Sequence, residues 1–303
     1  MLKYKQLPIN KCNSLGIGTT ELETSDYSRC PSCNSDEKEK LFESIDIKQS
    51  KEIFTIVKCC KCNLIYTENA PNFEDAVRYY GTSYYSYHRK FELPENVIEN
   101  GKRYLDIGCG SGWHIVDKMK EGYDAYGVEI DPNVVKLCRD RGLKVKQSIK
   151  GRIDYESDFF DFIHLNHVLE HLHSLDRMMS EIYRCLKQGG TLQISVPNIE
   201  SYDAKIYGKY WRHLDVPRHL YHFSQDSLAS LLSKHKFRNL QFSTSKKEIT
   251  IPYLKGLYTT FKAISFEQNI FVACLLMTKN FIKYIAHNGD ENSGINLTVV
   301  ATK

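Results

Sequence analysis

Four cysteines stand in two pairs, Cys30 with Cys33 in RCPSCN and Cys59 with Cys62 in KCCKCN. A Cys-x-x-Cys turn presents two thiolates to one ion, and two such turns complete a tetrahedral shell. Zinc in a structural role suits that donor set, because four thiolates leave no coordination position for water or substrate. Cys60 reads as a bystander, since pairing it with Cys62 leaves one intervening residue, poor geometry for such a turn. Two other readings stay open: an unmetallated pair of turns, and a redox dithiol. No thioredoxin-like strand-helix pattern surrounds either pair, which weighs against redox use. Cys12, Cys109, Cys138, Cys185 and Cys274 are scattered and read as small buried residues.

A second constellation is rich in glycine. In LDIGCGSG, Gly108, Gly110 and Gly112 follow Asp106 at a strand-to-helix turn, and Glu129 closes the next strand in GVEID. Glycine lets backbone bend sharply and approach a ligand closely. An acid at the end of the second strand can bond both hydroxyls of a ribose. Asp106 would repel a pyrophosphate but suits an ammonium group, and the loop lacks the Gly-x-Gly-x-x-Gly spacing that sets a helix N-terminus on phosphate. A nucleoside with a cationic amino-acid tail fits these features, namely S-adenosylmethionine.

Histidines form the third group. In NHVLEHLHS, His167 and His171 are four apart and share one face of an expected helix, with His173 pointing to solvent. A general base helps a reaction whose nucleophile is a hydroxyl or carbon acid, and histidine suits that task near neutral pH. His171 is the first choice; the alternative is that it braces the neighbouring loop. Glu170 could orient a histidine or line the acceptor pocket. In YWRHLDVPRHLYHF, Arg218 could clamp a phosphate or carboxylate of the acceptor, and His219 and His222 add further bases. The same segment also fits a structural lid in which Asp215 holds Arg218. Tyr80, Tyr84 and Tyr85 could wall the cofactor or stack on a sugar, or simply pack against the cysteine module.

These residues need elements to hold them. Residues 1–28 are polar and read as a flexible tail, 29–71 as a zinc ribbon with LFESIDIKQSKEIFTIVKC as strand, turn and strand, and 72–100 as a helical Tyr-rich linker. From 101 to 303 strands and helices alternate. RYLDIG, AYGVEI, LKVKQS, FFDFIHLN and TLQISVPN are strands, WHIVDKMKEG and LDRMMSEIYRCLKQGG helices. Residues 201–227 interrupt as an acceptor-side lid. LASLLSKHKF is a helix, NLQFSTSK and GINLTVVATK the last two strands, with a helical insertion at 249–288. The expected fold is α/β, a doubly wound, mostly parallel Rossmann-like sheet with ligands at the carboxyl ends of its strands.

Composition narrows the function. The 303 residues are 42% hydrophobic and 26% charged with a net charge of +4, which describes an ordinary globular chain without a dense basic stripe. MLKYKQLPINKC lacks the apolar core of a secretory leader, and Ile264–Ile285 is broken by Glu267, Lys279 and Lys283, so a cytoplasmic location without a transmembrane segment is expected. In the insertion, Leu257, Phe261, Ile264, Phe271, Leu275, Phe281 and Ile285 recur at helical spacing and should bury one face. That face would meet the protein's own core, a second copy in a homodimer, or a membrane surface.

LDIGCGSG, GVEID, FDFIHLNHVLEHL and CLKQGGTLQISVPN, in that order, resemble the class I S-adenosylmethionine-dependent methyltransferases over roughly residues 75–303. The resemblance implies a seven-stranded sheet and places the cofactor on Asp106, Gly108, Gly110 and Glu129, with adenine near Gln147 and Ser148. Cys109, Gly112, Ile130 and Asn166 complete the implied contact set. KQSIKG lacks the Asp that many relatives carry there. With RCPSC, KCCKCNLIY, RYYGTSYYSY and YWRHLDVPRHLYHFS, the chain also resembles bacterial methyltransferases of sugar and polysaccharide biosynthesis, several of which carry a four-cysteine zinc module. The implied acceptor is a sugar nucleotide or glycan precursor, methylated on oxygen or carbon. An RNA methyltransferase using the ribbon to bind RNA is the alternative, and the modest charge weighs against it. A non-catalytic adenosyl-binding protein is a third reading, opposed by the intact glycine loop and acidic partner.

Overall fold

A hairpin opens the structure: β1 (Lys38–Ile45) and β2 (Ile53–Cys59) pair antiparallel, and β3 (Ile65–Thr67) joins β2. The computed structural model describes residues 27–80, 91–95, 99–149, 151–245, 251–286 and 294–303. Nearly all of the expected tail, with Cys12, and the tyrosines Tyr84 and Tyr85 lie outside them. The turn between β1 and β2 closes on Asp46, whose carboxylate accepts from the backbone N–H of Lys48, Gln49 and Ser50 at 3.1, 3.2 and 2.9 Å. From the expected linker, α1 is one turn, Phe73–Ala76.

The main sheet follows. Its strands are β4 (Arg103–Ile107), β5 (Asp124–Glu129), β6 (Lys144–Gln147), β7 (Phe160–Asn166) and β8 (Leu186–Pro197). Between them run α2 (Trp113–Lys120), α3 (Pro132–Asp140) and α4 (Leu175–Cys185). Beyond β8 lie α5 (Tyr202–Tyr207), the short β9 (Tyr221–His222), α6 (Gln225–Lys234) and β10 (Arg238–Thr244). Two long helices, α7 (Ile251–Glu267) and α8 (Ile270–Ala286), precede the last strand, β11 (Asn296–Thr302). The seven-stranded order is β10-β11-β8-β7-β4-β5-β6, with β11 antiparallel to both neighbours and the others parallel. The doubly wound sheet expected from the sequence is present.

Local chemistry explains the elements. In β4, Tyr104 to Ile107 are all buried, as a central parallel strand covered on both faces requires. On α4, Leu175, Met178, Met179, Ile182 and Cys185 are buried at helical spacing, each apolar side chain contributing about 1.5–3 kcal/mol. Asp131 caps α3 by accepting from Asn133 N–H, and Ser224 with Ser227 forms a capping box on α6. The helix expected to run to Gly190 ends at Cys185. Leu186 already pairs with Phe160, and Lys187–Gly190 bulge out before Thr191 pairs with Phe162.

Two features position the site. Successive strands spread in opposite directions from β4 and β7, so a crevice opens at their carboxyl ends. The hairpin module is also not a separate bead. Its Val57, Cys59, Leu64 and Tyr66 share a core with Leu165, Ile194 and Phe223, and β9 adds a fourth strand to its sheet through Ile65↔His222 and Tyr66↔Tyr221.

The insertion departs from expectation. α8 turns Ala273, Met277 and Asn280 inward, with Asn280 Nδ2 donating to Ile206 O at 3.1 Å. Phe271 and Leu275, expected on the buried face, are 79% and 72% exposed because they lie on the opposite side of α8, with Ile282. Ile264 is buried, Leu257 and Phe261 are half-buried. Among the described residues, no helix is long and apolar enough to cross a membrane.

Candidate active site

The glycine loop leaves β4 with φ of 67° at Gly108 and 50° at Gly110, backbone that favours glycine. A Cβ on Gly108 would stand 2.5 Å from Val168 Cγ2, so the loop lies directly against the turn after β7. A Cβ on Gly110 would meet nothing within 4 Å, which marks the open side of the loop. Gly110 N–H donates to Glu129 Oε2 at 2.9 Å, and Ile130 N–H to Glu129 Oε1 at 2.7 Å. Glu129 therefore ties the loop to the end of β5. Burial pushes its carboxyl up, with these N–H bonds offsetting part of the effect. Cys138 Sγ donates to Gly110 O at 3.2 Å and braces the loop from α3, next to the buried Cys109.

Asp106 is 2% exposed; its Oδ1 meets His164 Nδ1 at 3.0 Å while its Oδ2 has no hydrogen-bond partner. A buried carboxylate oxygen left unpaired suits a cationic ligand group. Ile130 and Ile149 are 43% and 63% exposed at the ends of β5 and β6, apolar flanks for a planar base. Gln147 Nε2 donates to Ile130 O and Ser148 Oγ to Arg152 O, both at 3.1 Å. Asn166 ends β7 exposed. The residues present fit S-adenosylmethionine. His164 and Ile149 escaped the sequence reading; an exposed Ile just past a strand end was the available signal for the latter.

The histidine turn differs from the expected helix. His167 has a φ of 54°, and only Leu169–His171 form a short 3-10 turn. Glu170 points inward, 0% exposed, and His167 Nδ1 lies 3.2 Å from Glu170 Oε1. Donation from Nδ1 to that carboxylate leaves the lone pair on Nε2 of a ring whose side chain is 35% exposed. His171 Nδ1 donates to Arg218 O at 2.9 Å, and its ring meets His219 edge-on with centroids 4.6 Å apart. Burial alone would raise the Glu170 carboxyl; the His167 bond and the neighbouring His171 and His219 outweigh it and hold it low. His173 is not solvent-facing: Phe73 covers its ring and its Nε2 donates to Pro71 O at 3.3 Å. Burial lowers its pKa.

Of the two readings of Arg218, the geometry follows the one in which Asp215 holds it. It is 3% exposed, with its guanidinium donating to Asp215 Oδ1 at 2.7 Å, Asp46 Oδ1 at 2.8 Å and Tyr79 O at 3.0 Å. Both aspartates hold it inward, where it ties residues 215–218 to the hairpin turn at Asp46. Burial sends His219 down to about 4 and His222 to about 3, so both are neutral at pH 7. His219 Nδ1 donates to His213 O at 2.8 Å. His213 Nε2 is buried without a hydrogen-bond partner. Leu220 N–H donates to Glu170 O at 2.7 Å and Thr67 N–H to Leu220 O at 2.9 Å, stitching histidine turn, lid and β3 together. Tyr80 OH lies 3.4 Å from His171 Nδ1.

The cysteine pairs close on one another. Cys30 Sγ lies 3.5 Å from Cys62 Sγ and Cys33 Sγ 3.5 Å from Cys59 Sγ, with all four sulfurs within 4.8 Å. Cys60 is exposed and outside the group. The bond that Cys30 donates raises its own pKa and lowers that of Cys62. Four convergent sulfurs fit a zinc ion.

Residues 80–241, more than half of the chain, match the family described as a methyltransferase domain. An uncharacterized protein of Methanocaldococcus jannaschii is 27% identical over 165 residues, 54% of this chain and 78% of that protein. A sterol 4-C-methyltransferase of Caenorhabditis elegans is 33% identical over 109 residues, 33% of this chain and 31% of the relative. A ubiquinone biosynthesis O-methyltransferase of Methylococcus capsulatus is 27% identical over 143 residues, 44% of this chain and 60% of the relative. The match thus spans less than two thirds of the length of the latter two. A solved SAM-dependent methyltransferase from Archaeoglobus fulgidus superposes with a TM-score of 0.46 at 20% identity, over 68% of this chain and 88% of that one.

Proposed function

The chain belongs to the methyltransferase-domain family, and we propose that it methylates an oxygen or carbon acid of a small acceptor held between the end of β7 and the lid. It is an S-adenosylmethionine-dependent methyltransferase. When bound, the cofactor supplies a sulfonium methyl group already activated for displacement. Asp106 Oδ2 takes the ammonium group, Glu129 the ribose hydroxyls, and Ile130 and Ile149 flank the adenine, with Gln147 and Ser148 at its edge. The acceptor side is supported by the close approach of Val168, the residue after His167, to Gly108, where an added Cβ would stand 2.5 Å from Val168 Cγ2.

His167 is the better base than His171. Its Nδ1–H donates to the buried Glu170 carboxylate, which orients the ring and leaves Nε2 as the proton acceptor. His171, held by Arg218 O and packed on His219, positions the acceptor side of the lid. For the acceptor, a sugar nucleotide or glycan precursor of polysaccharide biosynthesis is favoured by the sequence resemblance and by Tyr80, which offers an aromatic wall beside His171. The named relatives act on sterol and ubiquinone-pathway acceptors, so a screen must include prenylated phenols and sterols. The four cysteines hold a structural zinc that keeps β3 in place to receive β9. Transfer of labelled methyl to a panel of sugar nucleotides tests the reading. His167→Asn should lower kcat at least a hundredfold with the cofactor Kd unchanged; full kcat in that variant refutes the base assignment.

A further inference from the structure

We propose that Glu170, His171 and His219 form a second metal site, open on one side, which takes a divalent first-row transition ion next to the acceptor. The inference rests on the acceptor lying at the end of β7, as above. One donor atom from each of the three residues lies within 4.8 Å of the others. Ligands to an ion at about 2.0–2.2 Å stand roughly 3.4 Å apart in a tetrahedral array, so a contraction of at most about 1.4 Å closes the site.

Three observations point to a cation. Glu170 is 0% exposed and its Oε2 has no hydrogen-bond partner, which an internal carboxylate does not tolerate without reason. His171 and His219 both direct Nδ1 at backbone carbonyls, Arg218 O at 2.9 Å and His213 O at 2.8 Å. That arrangement orients an imidazole for metal and leaves the lone pair on Nε2. Arg218, next to His219 in sequence, directs its guanidinium to Asp46 and Asp215. Two imidazoles and one carboxylate suit zinc, cobalt or iron(II) better than magnesium or calcium.

The site differs in kind from the four-cysteine one. Three protein ligands leave a coordination position free, and an acceptor oxygen can fill it. The acceptor hydroxyl then gives its proton to His167 Nε2, its oxygen forms the bond to the methyl carbon, and the carbon–sulfur bond breaks with its electron pair on sulfur. Acceptors with a second oxygen beside the methylated one, such as vicinal diols and hydroxy-ketones, chelate best. Because His219 belongs to the lid while Glu170 and His171 belong to the turn after β7, the ion also fastens the lid.

Cobalt(II) titration of protein whose cysteine site already holds zinc tests this. Calorimetry should show one further cobalt per chain, with weak d–d bands and no thiolate charge-transfer band. Glu170→Gln and His219→Gln should each weaken that binding at least tenfold while zinc stays at one per chain. Should either variant misfold, electron-spin-echo spectroscopy of cobalt in the wild type must show coupling to two imidazole nitrogens. No second cobalt, cobalt displacing the zinc, or unchanged affinity in both folded variants overturns the proposal. A parallel titration with S-adenosylmethionine separates this from the broader reading: cofactor binding without a second cobalt sinks only the metal site.

Discussion

The two sides of the cleft are built in opposite ways. The cofactor side comes mainly from one run, β4 to β6, in which Asp106, the glycines and Glu129 follow one another and Glu129 ties the loop, with His164 of β7 reaching Asp106. The proposed acceptor side is assembled from three distant segments: the turn after β7, the stretch Arg218–His222, and β3 with its cysteine turns. A contiguous side can tolerate damage elsewhere. A stitched side fails when any of its three pieces is lost.

The sharpest way to break this contrast is to disable the cysteine cluster. Metal analysis should find about one zinc held by Cys30, Cys33, Cys59 and Cys62, and Cys60→Ser should keep it. Structural zinc in small modules is worth on the order of 10 kcal/mol, so Cys59→Ser should disorder β3, free β9 and abolish methyl transfer. Cofactor affinity should fall far less. Equal loss of both would make the ribbon a general folding staple.

Arg218→Met comes next. It takes the guanidinium from Asp46 and Asp215, 0% and 7% exposed in their side chains, leaving them the Lys48, Gln49 and Ser50 N–H groups and the Lys48 ammonium, at a cost of about 3 kcal/mol in thermal or urea unfolding. Wild-type stability with weakened acceptor binding would restore the acceptor-clamp role. On the other side, Glu129→Ala should weaken S-adenosylmethionine by about 1.5–3 kcal/mol, read by calorimetry, and leave stability less affected.

Acid should also strike the stitched side first. Burial sets His219 at about 4 and His222 at about 3, below the ordinary value of about 6.5. The unfolded chain therefore binds more protons between these values, so their stabilisation is complete above about pH 6.5 and fades as pH falls toward 4 and then 3. His222→Gln should flatten that acid limb in denaturation followed against pH; an unchanged limb would place the loss elsewhere. The smallest effect belongs to α8. Phe271→Ser with Leu275→Ser should change stability by within about 0.5 kcal/mol, but should shift light scattering from dimer to monomer if that exposed face joins two copies.

The same contrast explains what could be read from sequence. LDIGCGSG and GVEID carry their geometry in consecutive residues, because a strand, a turn and a helix fix where Gly110 and Glu129 meet. The sheet followed from its alternating apolar runs. Arg218 was ambiguous since its partner Asp46 lies 172 residues away, beyond any local pattern. His173 looked exposed because nothing nearby in sequence announces Pro71 as its acceptor. Helical spacing placed His167 and His171 on one face, yet a positive φ at His167 broke the helix before it began and turned Glu170 inward. In α8 the periodicity was real, but its apolar residues fall on both faces, so period alone could not say which face is covered.

The division of labour can be measured without knowing the acceptor, by titrating S-adenosylmethionine into wild type, Asp106→Asn and His167→Asn in one calorimetric series. Asp106→Asn should bind about tenfold or more weaker, the equivalent of about 1.4 kcal/mol, and His167→Asn within about twofold of wild type. Wild-type affinity in Asp106→Asn, or a loss in His167→Asn as large as that at Asp106, would contradict a cleft with separate cofactor and acceptor sides.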